Sequence, residues 1–323
     1  MARLSTIDSP GYAAQFRRTL LGWFHQHQRK LPWRGESDPY RILVSEIMLQ
    51  QTRVAVVEDR YRKFIAQFPT AERLAHAREQ TVLAAWSGLG YYRRARNLHA
   101  AAKEIVKAGE FPRTAEALGE LPGIGRYTAN AVASIAFGEA VPVVDGNVKR
   151  VLERVTGRPL SGEQHWQTAE ALLDRGIPGD FNQGLMELGA VVCLPGKPLC
   201  EACPVIELCA SRGAGTRRER ATRRKAVVKY ALCTRNGSVL LQQRAQDSSL
   251  MPGMWELPAF TETQPAAQPL MRLKHSITVT DYSVLVFAGN GHKGRWVPLG
   301  NAERLALTGL TRKILQRLRE TNP

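Results

Sequence analysis

The chain has 323 residues, and its 45 Lys and Arg outweigh 29 Asp and Glu to a formal net charge of +16. Hydrophobic residues make up 44% and charged residues 23%, a globular composition that excludes wholesale disorder and allows two domains, each with its own core. Five cysteines in that length exclude a secreted disulfide scaffold, and no apolar run approaches the ~18 residues of a membrane span.

Amphipathic helical pattern separated by Gly and Pro turns fills residues 11 to about 210. No signal-peptide core precedes it, so an intracellular, cytoplasmic location without membrane attachment is expected. Asp38 ahead of Pro39 provides an N-cap and a first-turn proline for a helix carrying the apolar stretch 42–49. Ala-rich helical stretches follow at 71–86, 95–108, 114–120 and 127–137. Met48 and Trp86 read as core, and His25, His27 and His99 as surface. Between Arg212 and Lys229 eight basic residues face one acid, Glu219, which marks a linker, bounded here as 212–226. Beyond it the pattern turns to strands: 227–234, an Asn236-Gly237 hairpin turn, and 238–243. A second strand set at 276–287 precedes a closing amphipathic helix over 308–319. The predicted division is a helical domain over 1–211 and an α+β domain over 227–323. The excess positive charge points to a polyanion, nucleic acid ahead of an anionic membrane surface.

Two motifs carry chemistry. Cys193, Cys200, Cys203 and Cys209 form C-x6-C-x2-C-x5-C, with Cys233 outside. Four soft thiolate ligands on one short loop suit a single metal centre, an iron–sulfur cluster ahead of zinc, whose ribbons usually pair two C-x2-C knuckles. The second motif is Leu121-Pro122-Gly123-Ile124-Gly125-Arg126-Tyr127-Thr128-Ala129. Its glycines, Gly123 and Gly125, permit a tight turn that aims backbone N–H groups at a phosphate oxygen. A plain helix connection is the alternative for such a turn taken alone.

With the stretch 144–150 (Val-Asp-Gly-Asn-Val-Lys-Arg), these motifs resemble the helix-hairpin-helix DNA glycosylase superfamily. Residues 45–52 (Ser-Glu-Ile-Met-Leu-Gln-Gln-Thr) are similar to its adenine-removing branch. The resemblance runs from Leu31 to Cys209 and resumes more weakly from 227. It implies a mainly α, two-lobed helical catalytic region holding a [4Fe–4S] cluster on the four cysteines, and a small Nudix-like α+β domain after it. It also implies a monomer acting on double-stranded DNA, removing adenine mispaired with 8-oxoguanine or guanine. A thymine-mismatch glycosylase of the same superfamily and a non-catalytic iron–sulfur DNA-binding protein are the alternatives.

Glu46 shares a helix face with Ile42, Leu43 and Leu49. Poor hydration there raises a carboxyl pKa and keeps the proton a general acid needs; the resemblance makes Glu46 the donor to the adenine ring. Asp145 is the partner carboxylate, an N-cap by position. By the two-carboxylate logic of glycosidases it is also the anion that stabilises an oxocarbenium-like sugar. The resemblance makes Asn147 the group that orients it and puts Tyr127 within the catalytic pair. In endonuclease III the position of Tyr127 holds a nucleophilic lysine; a tyrosine forms no Schiff base, so base removal without efficient strand cleavage is expected. Gln51 and Tyr91 match intercalating and wedging positions, Leu49 belongs to the same motif, and Arg34 and Glu187 match positions around the extruded adenine.

In the C-terminal domain, residues 240–244 and 251–258 resemble the start of a Nudix-like fold. After Trp255 the carboxylates are Glu256, Glu262, Asp281, Glu303 and Glu320, none adjacent to another. An acidic magnesium box is therefore not expected. The connection 258–274 is short for the family. The recognition loop, Phe-Ser-His in relatives, reads Ile277-Thr278-Val279 here: Thr278 keeps a hydroxyl for the opposite base, and Val279 supplies no donor.

Overall fold

The computed structural model describes residues 10–213, 223–248, 250–260, 268–277, 280–290 and 292–321. Helices come first: α1 (Pro10–His27), α2 (Pro39–Leu49), α3 (Val54–Gln67), α4 (Ala71–Ala75), α5 (Glu79–Ala85), α6 (Arg93–Ala108), α7 (Ala115–Gly119), α8 (Arg126–Phe137), α9 (Gly146–Thr156), α10 (Gly162–Leu172) and α11 (Pro178–Val191). The strands β1 (Arg224–Leu232), β2 (Thr234–Arg235), β3 (Ser238–Gln243), β4 (Trp255–Glu256), β5 (Met271–Ile277), β6 (Thr280–Ala288) and β7 (Arg295–Pro298) follow, then α12 (Leu299–Ala302) and α13 (Gly309–Thr321). The chain divides into two compact units, one of Met1–His76 with Asn97–Arg218 and one of Ala77–Arg96 with Glu219–Pro323.

In the first unit the local signals act as their chemistry dictates. Asp38 caps α2, its carboxylate accepting from the Tyr40 N–H at 2.9 Å, with Pro39 at the first helical position. The helix then buries nearly all its length, Tyr40 and Ile42 through Met48, so it is a central helix with almost no solvent face. The expected helix over 71–86 is broken into α4 and α5 at residues 76–78. A core of Phe16 and Leu20 from α1, Val151 and Leu152 from α9, and Phe181 and Leu185 from α11 is almost fully closed to solvent. At about 1.5–3 kcal/mol for each large apolar side chain buried, this cluster fixes α9, which starts at Asp145 and carries Asn147, and α11, which carries Glu187.

One surface assignment is corrected. His99 is buried, with its Nε2 3.3 Å from the Ala75 carbonyl. Ala95, Leu98 and Ala102, also buried, stand at helical spacing around it, so its position on α6 puts it on the apolar face. His25 and His27 are exposed, as expected.

Among the described residues the second unit contains two sheets. β6 lies between β1, its parallel partner, and β5, its antiparallel one; β3 pairs with β2, β4 and β7. Asn236 and Gly237, at φ 47° and 68°, make the turn joining β2 to β3, the geometry for which Asn-Gly is selected. β1 begins at Arg224, so the end of the basic stretch is strand. Leu232, Leu241, Val284 and Val286 form a core closed by Ile314 of α13. Residues 77–96 attach to this unit through hydrogen bonds from Arg96 to the Pro252 carbonyl (2.6 Å) and from the Tyr92 hydroxyl to the Leu307 carbonyl (3.1 Å). Glu256 is paired with Arg244, Asp281 with Arg223 and Ser276, and Glu303 with Arg319. Thr278 and Val279 lie outside the described residues, as does Glu262.

Candidate active site

A cleft in the first unit brings together Arg34, Glu46, Leu49, Tyr127, Asp145, Asn147 and Glu187. Glu46 enters it from α2 and is only 5% exposed. Its Oε2 accepts a hydrogen bond from the Tyr127 hydroxyl at 2.7 Å. Tyr127 stands in the first turn of α8, and Gln50 ties the end of α2 to the same helix through the Thr128 hydroxyl at 3.0 Å. Burial drives the Glu46 carboxyl above the ordinary range, and the charge of Asp145 adds to the rise. The Tyr127 hydrogen bond and the Arg34 charge oppose it without cancelling it. Burial and the two carboxylates keep the Tyr127 phenol protonated, a donor at any working pH.

Asp145 is the N-cap of α9. Its Oδ1 accepts from the Val148 N–H at 2.6 Å and its Oδ2 from the Asn147 side-chain amide at 3.1 Å. Burial raises its pKa, while these donors and the Arg150 charge favour the ionised form. The two carboxyls therefore occupy different environments. Glu46 has the Tyr127 hydroxyl as its hydrogen-bond donor, whereas Asp145 is solvated by fixed N–H groups. When such a pair shares one proton, the proton resides on the less solvated member, Glu46. The cap uses one carboxylate oxygen of Asp145 and Asn147 holds the other, so capping also fixes the orientation of the carboxylate.

Glu187, on α11 and 2% exposed, is the third carboxylate. Arg29 reaches both of its oxygens, at 2.7 and 2.9 Å, and Arg34 reaches Oε2 at 3.0 Å. Burial alone would raise this carboxyl; the Arg29 hydrogen bonds and both guanidinium charges outweigh it and hold the group below the usual range. Arg34 also donates to the Gln183 side chain at 2.5 Å. Among the cleft residues that escaped the sequence reading are Arg29, Gln183 and Met186, whose sulfur is 3.5 Å from the Tyr127 hydroxyl. Gln183 and Met186 precede Glu187 by four residues and one; helical spacing from Glu187 identifies Gln183. Arg29 carries no local signal, since its partner is remote in sequence.

The hairpin joins α7 to α8. Buried Leu121 and Ile124 pin it, Gly123 adopts φ +75°, and a Cβ there would collide with the Asn97 side chain. Gly125 caps α8 in extended conformation without a side-chain hydrogen bond, so no capping side chain accepts from the first N–H groups of α8. Gln51, exposed just beyond α2, and Tyr91, 43% exposed, both have positive φ, 55° and 45°. That region is sparsely populated for side-chain-bearing residues and is concentrated at functional sites. Gln51 belongs to the first unit and Tyr91 to the second.

The four cysteines follow α11 on a loop with two single-turn 3₁₀ segments at 200–202 and 206–208. Burial and the neighbouring charges of Cys193, Cys209 and Cys200 push the Cys203 thiol up to about 11, so the other three sulfurs lie within electrostatic reach of Cys203. Among the described residues, no three Cys, His, Asp or Glu side chains converge tightly enough for a single metal ion. Arg154 donates to the Cys193 sulfur at 3.2 Å, and Arg150 donates to the Cys193 carbonyl at 2.8 Å and to the Asn147 side-chain oxygen at 2.9 Å.

A glycine hairpin beside a cleft that holds two buried carboxyls in unequal hydrogen-bonding environments defines a helix-hairpin-helix scaffold built around a two-carboxylate site. Residues 44–175 match the HhH-GPD superfamily base excision DNA repair protein family. A thermostable thymine-DNA glycosylase of known structure is 33% identical, with a TM-score of 0.59, and the match covers 64% of this chain and 98% of that one. This chain belongs to the HhH-GPD superfamily of base excision DNA repair proteins. An endonuclease III trapped on DNA shares the fold, at 24% identity and a TM-score of 0.55 over 64% of this chain and 99% of that chain. The adenine DNA glycosylase of Homo sapiens is 49% identical over 214 residues, 61% of this chain and 39% of the human protein. The chain thus spans well under half the length of that relative. No helix among the described residues is long and apolar enough to cross a membrane.

Proposed function

We propose that this chain is a monomeric DNA glycosylase that removes adenine mispaired with 8-oxoguanine or guanine from double-stranded DNA, without efficient strand cleavage. The observation that carries this reading is the unequal pair: Glu46 buried against the Tyr127 hydroxyl, and Asp145 solvated by the Val148 and Asn147 donors. The adenine nucleotide is extruded from the duplex into the cleft, where Arg34 and the anionic Glu187 can pair with the edge of the base. Glu46 transfers its proton to a ring nitrogen, and the electrons of the C1′–N bond leave with the adenine. Asp145 stabilises the resulting cationic sugar. Water adds at C1′ and gives a proton to the Glu46 carboxylate, which restores the acid and leaves an abasic site. Tyr127 holds no amine, so no covalent sugar–protein intermediate forms and borohydride traps none. The name of the human relative favours adenine; the lower identity of the thymine-DNA glycosylase favours thymine less.

The donor set of Cys193, Cys200, Cys203 and Cys209 fits a [4Fe–4S] cluster. The four thiolates would hold it, Arg150 and Arg154 beside Cys193 would offset its negative charge, and a Cβ at Gly213 would lie 3.0 Å from the Cys200 sulfur. When bound, the cluster supplies four iron–thiolate bonds that fix the 193–209 loop against α9. Gln51 and Tyr91 brace the opened stack, Gly123 and Gly125 grip a phosphate, and Thr278 reads the opposite base. The test compares wild type with Glu46→Gln on a duplex carrying adenine opposite 8-oxoguanine. The variant should bind that duplex and release no adenine; release near the wild-type rate would overturn the acid assignment.

A further inference from the structure

The segment that delivers Asp145 has no regular structure of its own. Between the end of α8 and the cap of α9, residues 138–144 form neither helix nor strand, yet Val143 and Val144 are buried. Buried backbone groups must find partners, and here two asparagine side chains provide them. Asn182, on α11 and 1% exposed, accepts from the Val143 N–H at 3.1 Å and donates to the Val141 carbonyl at 2.9 Å. Its second amide hydrogen goes to the Ser134 hydroxyl at 3.0 Å. Asn130, on α8, donates to the Pro142 carbonyl at 2.7 Å. Rotating the Asn182 amide by half a turn would set donor against donor at Val143, so its orientation is fixed by its partners.

A buried asparagine that satisfies loop backbone is ordinary structural chemistry; the destination of this loop is what distinguishes it. Two residues after Val143 stands the carboxylate that must sit against a cationic sugar. Asn182 also shares α11 with Gln183 and Glu187 of the base pocket, so one helix fixes the base side and the sugar side of the bond to be broken. We propose that Asn182, seconded by Asn130, is a positioning residue for excision: it holds the 141–143 backbone that sets the Asp145 carboxylate against the developing sugar cation. This rests on the role given to Asp145 above.

The full chain is tested as wild type, Asn182→Ala, Asn130→Ala and Ser134→Ala. Ser134→Ala removes the third partner of Asn182 but leaves both of its backbone bonds. Two probe duplexes carry, opposite 8-oxoguanine, either a pyrrolidine that is cationic where the sugar becomes cationic or a neutral tetrahydrofuran of the same shape. Wild type should prefer the cationic duplex. Asn182→Ala should reduce that preference by about 10- to 100-fold, in parallel with its single-turnover excision rate, while its affinity for the neutral duplex stays unchanged. Asn130→Ala should move the same way by less, and Ser134→Ala should behave as wild type. If Asn182→Ala fails to fold, Asn130→Ala carries the comparison alone. Equal weakening on both duplexes, an unaltered preference, or a matching loss in Ser134→Ala would overturn the inference. A wild type that excises adenine yet ignores the charge would remove the role of Asp145 itself, a different failure.

Discussion

Gly189→Ala puts the coupling between packing and catalysis to a quantitative test. Gly189 lies on α11 where that helix crosses the start of α9. A Cβ there would sit 2.7 Å from the Cβ of Asn147, 3.0 Å from its carbonyl oxygen and 3.1 Å from its carbonyl carbon. Carbon atoms pack at about 3.5–4.0 Å, so the two helices must part by roughly 1 Å. No rotamer relieves the contact, because the obstructing atoms are backbone and Cβ. Asn147 holds Asp145 Oδ2 at 3.1 Å, so the displacement passes to the carboxylate. A shift of that size at a reacting group costs about 100-fold in rate, and the overpacking costs about 1–3 kcal/mol of stability. Gly22→Ala is the control: its site on α1 is exposed, with nothing within 4 Å of the new Cβ, and it should gain about 1 kcal/mol with an unchanged rate. Single-turnover excision at saturating protein, together with thermal melting, reads both effects. A Gly189→Ala protein that melts lower yet excises at the wild-type rate would refute the claim that this helix contact sets Asp145.

Glu46→Gln should raise stability near neutral pH by about 1 kcal/mol as it abolishes excision, because it removes a buried carboxylate and keeps an acceptor for Tyr127. The sign follows from the raised folded pKa: the stability Glu46 contributes is complete below its ordinary value of 4.5 and is lost as pH rises through the folded value. The advantage of Gln in thermal melts should therefore vanish at low pH and grow toward pH 7; an advantage independent of pH would contradict it. Purified protein should be brown and contain iron with inorganic sulfide, and stoichiometric zinc after anaerobic expression would overturn the cluster assignment. Thr278→Ala should narrow the preference for 8-oxoguanine:A over G:A by about fivefold, the value of one net hydrogen bond, and Val279→His should widen it. An unchanged ratio in Thr278→Ala would move lesion reading elsewhere.

The parts of the fold that read directly from sequence are those decided by neighbours in the chain. Asp38-Pro39 starts α2, Asp145 caps α9 and Asn236-Gly237 turns β2 into β3, because each signal acts within a few residues. Glu46 was legible as a poorly hydrated acid for the same reason, since its own helix supplies apolar neighbours. The clamp of Arg29 on Glu187 joins residues far apart in the chain, and no local pattern encodes it. The grouping of residues 77–96 with the C-terminal strands likewise depends on remote bonds, such as that from Tyr92 to the Leu307 carbonyl. His99 shows the opposite case, in which the helical period carried the answer and the polar residue type obscured it.

The central claim is that the Glu46–Asp145 pair cleaves the bond to adenine. Identification of the base released from three duplexes, A opposite 8-oxoguanine, A opposite G and T opposite G, tests it most directly when strand integrity is followed in the same reactions. The predicted result is free adenine from the first two, no thymine from the third, and strand breaks only after alkali. Release of thymine without adenine, or no base from any duplex by protein that binds all three, would contradict it.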